Sequence, residues 1–180
     1  GWGYSPLDQI TRENVGELRM VWTRALGRGS QQGTPLAYDG VLYMPNPRDV
    51  IQAIDATTGD LLWEHRREVP ENVGEGGLVT NNRNIAIYGR LIIDTSVDDH
   101  VFALDADTGD MAWETEILDY DTYRAMQSSG PIIANGKVIS GRSCRKPDSC
   151  VITAHDARTG AELWRRRTIP APGEPGDETW

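Results

Sequence analysis

The chain has 180 residues, enough for one domain with a sizeable core, and carries 38% hydrophobic residues and a formal net charge of -9. That acidity argues against a nucleic-acid partner, which needs a basic stripe to replace counterions, and suits simple solubility. No apolar run approaches the roughly 18 residues of a membrane span, and the sequence opens without a signal-peptide pattern.

Residues 1–28 read as a lead-in, an odd strand and connection. Residues 11–20 carry the only helical pattern, with Thr11 as N-cap ahead of Val15, Leu18 and Val21. Trp22 follows. Two short apolar runs then flank Asp39-Gly40, and the arrangement returns around Tyr88-Gly89 and around Asn135-Gly136. Each predicts a tight hairpin, Asn-Gly being among the strongest such signals.

A second hairpin follows each of these. Apolar strands at residues 50–54, 100–104 and 150–154 run into Asp55, Asp105 and Asp156, and all three copies read Ala-x-Asp-Ala-x-Thr-Gly-x-x-x-Trp, ending at Trp63, Trp113 and Trp164. The indoles are 50 (63 to 113) and 51 (113 to 164) residues apart. The Asp can close an Asx turn by accepting from N–H groups two and three residues on, and the Gly supplies a positive φ. The Trp reaches a fixed place in the next strand, where an indole can pack between sheets with its N–H on a carbonyl. Such specific docking also accounts for six Trp against one Phe.

Two hairpins per repeat make a four-stranded antiparallel meander, one blade of a β-propeller. The fold class is therefore all-β, with about three blades at residues 30–66, 80–117 and 128–167 and a Pro/Gly-rich connector at 168–180. Propellers close with roughly 4–8 blades, so the ring is incomplete and the sequence reads as a fragment whose partner is the rest of the propeller chain.

The docking repeat resembles the tryptophan-docking motif of pyrroloquinoline quinone (PQQ)-dependent alcohol dehydrogenases. Residues 4–10, Asn14-Val15, residues 32–36, Asn82-Arg83, residues 135–139 and the terminal Gly-Glu-Pro-Gly-Asp-Glu-Thr-Trp add to the likeness, which covers essentially the whole chain. It implies the N-terminal part of an eight-bladed propeller that oxidises an alcohol substrate by hydride transfer to PQQ. It also implies calcium or a lanthanide polarising the quinone, a periplasmic location and a cytochrome as electron acceptor. A non-catalytic propeller acting as a periplasmic binding or assembly scaffold is the alternative.

The same resemblance assigns roles. Arg83 matches the arginine that contacts the quinone oxygens, a task suited to a planar, permanently charged fork. Gln32 stands where the family has a PQQ-contacting glutamate, and either contacts the cofactor or serves structure. Ser128 and Ser143 match cofactor-site hydroxyls, though each could instead cap local backbone. Two positions depart from the family. Its adjacent-cysteine pair falls on Gly77-Leu78, and its metal-ligating glutamate on Lys146, which would repel a hard cation. Asp148 lies nearby without a positional match. The catalytic aspartate is not expected within these residues. Cys144 and Cys150 would bridge in an oxidising compartment and stiffen their loop; a redox or metal pair is the alternative, for which no further Cys or nearby His completes a set. His65, His100 and His155 take no catalytic role.

Overall fold

A computed structural model describes residues 7–73 and 81–179 of the chain. Among them, twelve strands form three antiparallel sheets of four. The first holds β1 (Leu36–Tyr38), β2 (Val41–Asn46), β3 (Val50–Asp55) and β4 (Leu61–Arg66). The second holds β5 (Ala86–Tyr88), β6 (Leu91–Thr95), β7 (His100–Asp105) and β8 (Met111–Glu116). The third holds β9 (Ile132–Ala134), β10 (Lys137–Gly141), β11 (Val151–Asp156) and β12 (Glu162–Arg167). Strands follow one another in sheet order, so each sheet is a meander and the three are successive blades of an open β-propeller.

The turns obey local chemistry. Asn135 and Gly136 both take positive φ (48° and 72°), as do Asp39 and Gly40 (49° and 77°), matching the twist of the hairpins they close. Asp55 Oδ1 accepts from the N–H groups of Thr57 and Thr58 at 2.7 and 2.9 Å. Asp105 and Asp156 repeat the pair of bonds. A register shift marks the same place in each motif, beginning at Ala53, Ala103 and Ala154.

Trp63 and Trp113 each serve the blade after their own. Trp63 Nε1 donates to Ala106 O at 3.0 Å, and a Cβ on Gly109 would lie 2.6 Å from the Trp63 ring. Trp113 rests likewise on Gly160. Trp22, which has no motif before it, still donates to Ala56 O at 3.0 Å and covers Gly59. The lead-in thus presents to the first blade what β4 presents to the second.

Two apolar layers hold the blades together. Tyr43, Ile51 and Ala53 meet Ile92, Phe102 and Leu104 between the first and second sheets. Ile93, Val101 and Ala103 meet Val138, Val151 and Ala157 between the second and third. Strand alternation sends Phe102 and Leu104 to one side of β7 and Val101 and Ala103 to the other. A blade buried on both faces therefore reads as a continuous apolar run.

The expected helix over residues 11–20 is not there. One 3₁₀ turn, Val15–Glu17, follows Asn14, and Val15 and Leu18 stay exposed. Thr11 Oγ1 accepts from Glu13 N–H while Asn14 Oδ1 accepts from Thr11 N–H, a local loop that competes with helix. The apolar stripe has no surface to pack against among the described residues, and so short a helix is not stable on propensity alone. One turn of α-helix that the sequence did not suggest, α1 (Tyr120–Tyr123), is capped by Asp119, whose Oδ1 accepts from Thr122 N–H at 2.7 Å.

Candidate cofactor site

The blades have two ends. At one, the Ala of each docking motif donates its N–H to the preceding hairpin turn: Ala56 to Gly40 O, Ala106 to Arg90 O and Ala157 to Gly136 O, all at 2.9 Å. At the other lie the segments that lead into β1, β5 and β9 and the turns that leave β2, β6 and β10. Gln32, Arg83, Ser128 and Ser143 all belong to this second end.

Backbone contacts link those segments in series. Thr34 N–H donates to Arg83 O at 2.6 Å, and Thr34 pairs with Asn84 in a parallel bridge. Gly130 packs on Asn84 so closely that a Cβ there would lie 1.5 Å from the Asn84 carbonyl oxygen, so only glycine fits. Met126 and Ser143 exchange backbone bonds of 3.2 and 2.9 Å. Across this line Arg83 reaches from the second blade to the third, where its Nη1 donates to Ser128 Oγ at 2.5 Å and to Ser128 O at 3.3 Å. Ser128 and Ser143 line one cleft of about 440 Å³ with Gly130 and Arg142. Gln32 is exposed on the first blade, apart from that pair.

Beneath the exposed residues runs a buried polar layer. Asn82 Nδ2 donates to Asp94, a fully buried carboxyl on β6 that also accepts from Thr95 N–H. Gln127 Nε2 donates to Asp99 Oδ1 at 2.9 Å, and Arg142 Nε donates to the same oxygen at 2.9 Å. Arg142 also donates to Val151 O at 2.7 Å, and its side chain is fully buried. On the first blade Gln31 Nε2 donates to Asn46 Oδ1 at 3.1 Å. Asp49, in the turn after β2, accepts from Val97 N–H of the second blade, and Arg67 lies between Asp49 (3.6 Å) and Asp98 (2.6 Å) while also donating to Glu114.

Burial dominates the acidity of these groups. It pushes Asp49 up to about 7 against the Val97 hydrogen bond and the Arg67 charge. Burial, with the Asp49 charge adding to it, holds Asp94 well above the usual carboxylate range. Asp99 is raised by burial despite Arg142 and Gln127. Burial would also raise Asp98, but hydrogen bonds from His100 and Ser96 and the Arg67 guanidinium outweigh it and bring it to about 2.

Residues 1–180 match the family described as glucose/ethanol/alcohol dehydrogenase, β-propeller domain. This chain belongs to that family. It is 38% identical to the dehydrogenase subunit of the quinone alcohol dehydrogenase of Komagataeibacter europaeus, over 98% of the chain and 25% of the relative. Its fold matches the quinohemoprotein alcohol dehydrogenase of Comamonas testosteroni (TM-score 0.79, 30% identity, 98% of this chain and 27% of the other). A europium-containing methanol dehydrogenase matches with TM-score 0.82 at 25% identity, over 95% of this chain and 31% of the other. The chain spans about a quarter of the length of the curated relatives it matches.

Within the dehydrogenase propeller, the donors at the second end suit an anionic organic cofactor: an exposed guanidinium with the Ser128 hydroxyl beside it, and the Ser143 hydroxyl in the cleft that Ser128 also lines. A hard cation is less well served. Among the described residues no group of three His, Cys, Asp or Glu could hold a metal, and Lys146 donates its ammonium to Thr122 O at 2.9 Å and lies over the Tyr123 ring. Asp148 is exposed. Cys144 and Cys150 form a disulfide that closes the loop between β10 and β11. Gly77 and Leu78 lie outside the described residues. His65 Nδ1 contacts Gly109 O and His155 Nδ1 contacts Gly160 O, each beside a docking turn. Asp94, Asp99, Gln127 and Arg142 carry no sequence signal used above, and Asn82 enters there only beside Arg83. A recurring amide one place before Gln32, Arg83 and Ser128 was the available signal.

Proposed function

We propose that the chain supplies the first blades of a periplasmic PQQ-dependent alcohol dehydrogenase with an atypical cofactor pocket. Arg83 would hold the quinone oxygens, Ser128 and Ser143 the cofactor carboxylates, and Gln32 would add a neutral donor on the first blade. When bound, PQQ supplies the redox chemistry by accepting hydride from the alcohol carbon. The residues here bind and orient; the general base lies elsewhere in such an enzyme. The observation that carries the reading is the meeting of Arg83 and Ser128 across two blades, a cation and a hydroxyl fixed side by side. A bridged Cys144–Cys150 loop suits an oxidising compartment, and relatives with haem or a quinone acceptor in their names make a cytochrome a fitting electron acceptor.

Lys146 favours a second reading, a propeller that binds or assembles without catalysis, because it stands in sequence where the resemblance puts the metal-ligating glutamate, and a lysine cannot ligate calcium or a lanthanide. Dye reduction by the intact protein with primary alcohols and added PQQ separates the two. Turnover that requires PQQ is expected, with Arg83→Ala weakening PQQ binding by about tenfold or more, as for loss of a charged hydrogen bond. No turnover with calcium or a lanthanide present would leave the scaffold.

A further inference from the structure

An amide stands immediately before three of the four residues assigned to the cofactor: half-buried Gln31 before Gln32, and buried Asn82 and Gln127 before Arg83 and Ser128. All three amides donate inward, to Asn46, Asp94 and Asp99 respectively. Asn82 and Gln127 are only 4% and 3% exposed, whereas Arg83 is exposed and Ser128 half-buried. Each anchored amide shares a peptide unit with the residue that follows it, so pinning the amide fixes the backbone that carries Arg83 and Ser128. The two strongest anchors end on carboxyls with no exposure.

We infer that Asn82 and Gln127 are positioning residues for the cofactor site, acting through Arg83 and Ser128 by way of their hydrogen bonds to Asp94 and Asp99. The inference rests on the reading of Arg83 and Ser128 as PQQ contacts. Asn82 anchors within its own blade, on β6, and holds the peptide whose next residue reaches to the third blade. Gln127 anchors across blades, on an Asp99 already gripped by Arg142. Both ends of the Arg83–Ser128 contact are thereby held before any ligand arrives, and the ordering cost of binding falls accordingly.

The test is PQQ affinity in the intact protein stripped of cofactor, followed by Trp fluorescence, with melting temperature measured alongside. Asn82→Ala is expected to weaken PQQ by about tenfold, the scale of a lost hydrogen bond to a buried carboxyl. The double variant Asn82→Ala/Arg83→Ala should bind no more weakly than Arg83→Ala, because Asn82 acts only through its neighbour. Losses that add, or an Asn82→Ala affinity equal to the parent's, overturn the positioning role. If Asn82→Ala does not fold, Asn82→Ser, which leaves a smaller polar cavity, is read by the same criteria. Should Arg83→Ala bind PQQ as the parent does, the cofactor assignment itself fails; if Arg83→Ala weakens binding and Asn82→Ala does not, only the positioning role fails.

Discussion

The docking end and the site end of the blades are stabilised by opposite means. At the docking end all three motifs make the same bonds: an Asx turn, a positive-φ glycine under an indole, and an Ala N–H to the neighbouring turn. At the site end one backbone bond repeats, from Arg67 to Asp49 O, Ile117 to Asp99 O and Thr168 to Cys150 O. The side chains on it differ in each blade: Asp49 takes a backbone N–H, Asp99 takes Arg142 and Gln127, and Cys150 takes a disulfide. Where identical turns already specify the architecture, the other end is free to vary, and chemistry collects there.

Buried charge makes the site end the more vulnerable. Arg142→Ala would leave Asp99 buried beside Gln127 alone, and removing one partner of a buried pair costs about 3–5 kcal/mol. Urea unfolding of the intact protein should show this loss, the largest of the set. Arg142→Ala melting like the parent would mean that the layer is not held by charge.

A pH series sharpens the same contrast. Asp49 titrates near 7 when folded, against an ordinary value of 3.8. The folded chain therefore holds a proton that the unfolded chain has released. Its stabilising contribution is full below about pH 4 and is lost as pH rises towards 7, with a slope of up to about 1.4 kcal/mol per pH unit. Asp98 runs the other way, its contribution present above 3.8 and lost as pH falls towards 2. Asp49→Asn should reduce the slope of the stability profile between pH 4 and 7, whereas Gly109→Ala at the docking end should leave that slope unchanged. An unchanged slope in Asp49→Asn would show that Asp49 is not the group responsible.

At the docking end the most damaging small change is Gly109→Ala, which combines a positive φ of 76° with overlap of the Trp63 ring. About 2 kcal/mol is expected from strain of that kind, measured by denaturant midpoint. A neutral result would mean that the indole can slide.

The docking end was legible because its chemistry is local and repeated: Asp, Thr, Gly and Trp at fixed offsets declare turn, glycine and indole without knowledge of the neighbour. Arg83 and Ser128 were legible only through resemblance, since nothing in Asn82-Arg83 or Ser128-Ser129 announces that they meet. Asp94, Asp99 and Arg142 were hidden for a physical reason. Asp94 looks like a polar interruption of an apolar strand, and Arg142 and Asp99 become partners only when two blades stack. Residues 11–20 misled in the reverse sense, because helical spacing there has no surface to serve among the described residues.

The smallest expected effect separates two copies of the repeat that share the same docking motif. Trp63 Nε1 donates to Ala106 O at 3.0 Å, but Trp113 Nε1 is buried with no partner, although the ring rests on Gly160 as Trp63 rests on Gly109. In the second blade the residue two past the indole is Thr115, whose hydroxyl takes Gly160 O at 2.8 Å; in the first it is His65 on Gly109 O. Packing of the two indoles is thus alike, and the hydrogen bond differs. Trp→Phe removes similar apolar volume at both places but removes a bond only at 63. Trp63→Phe should therefore cost about 1 kcal/mol more than Trp113→Phe, the net worth of one hydrogen bond. Equal losses would mean that docking is a matter of packing alone and that the Ala106 carbonyl is satisfied without the indole. A larger loss at 113 would place the tighter blade junction between the second and third sheets, beside the Arg83–Ser128 contact.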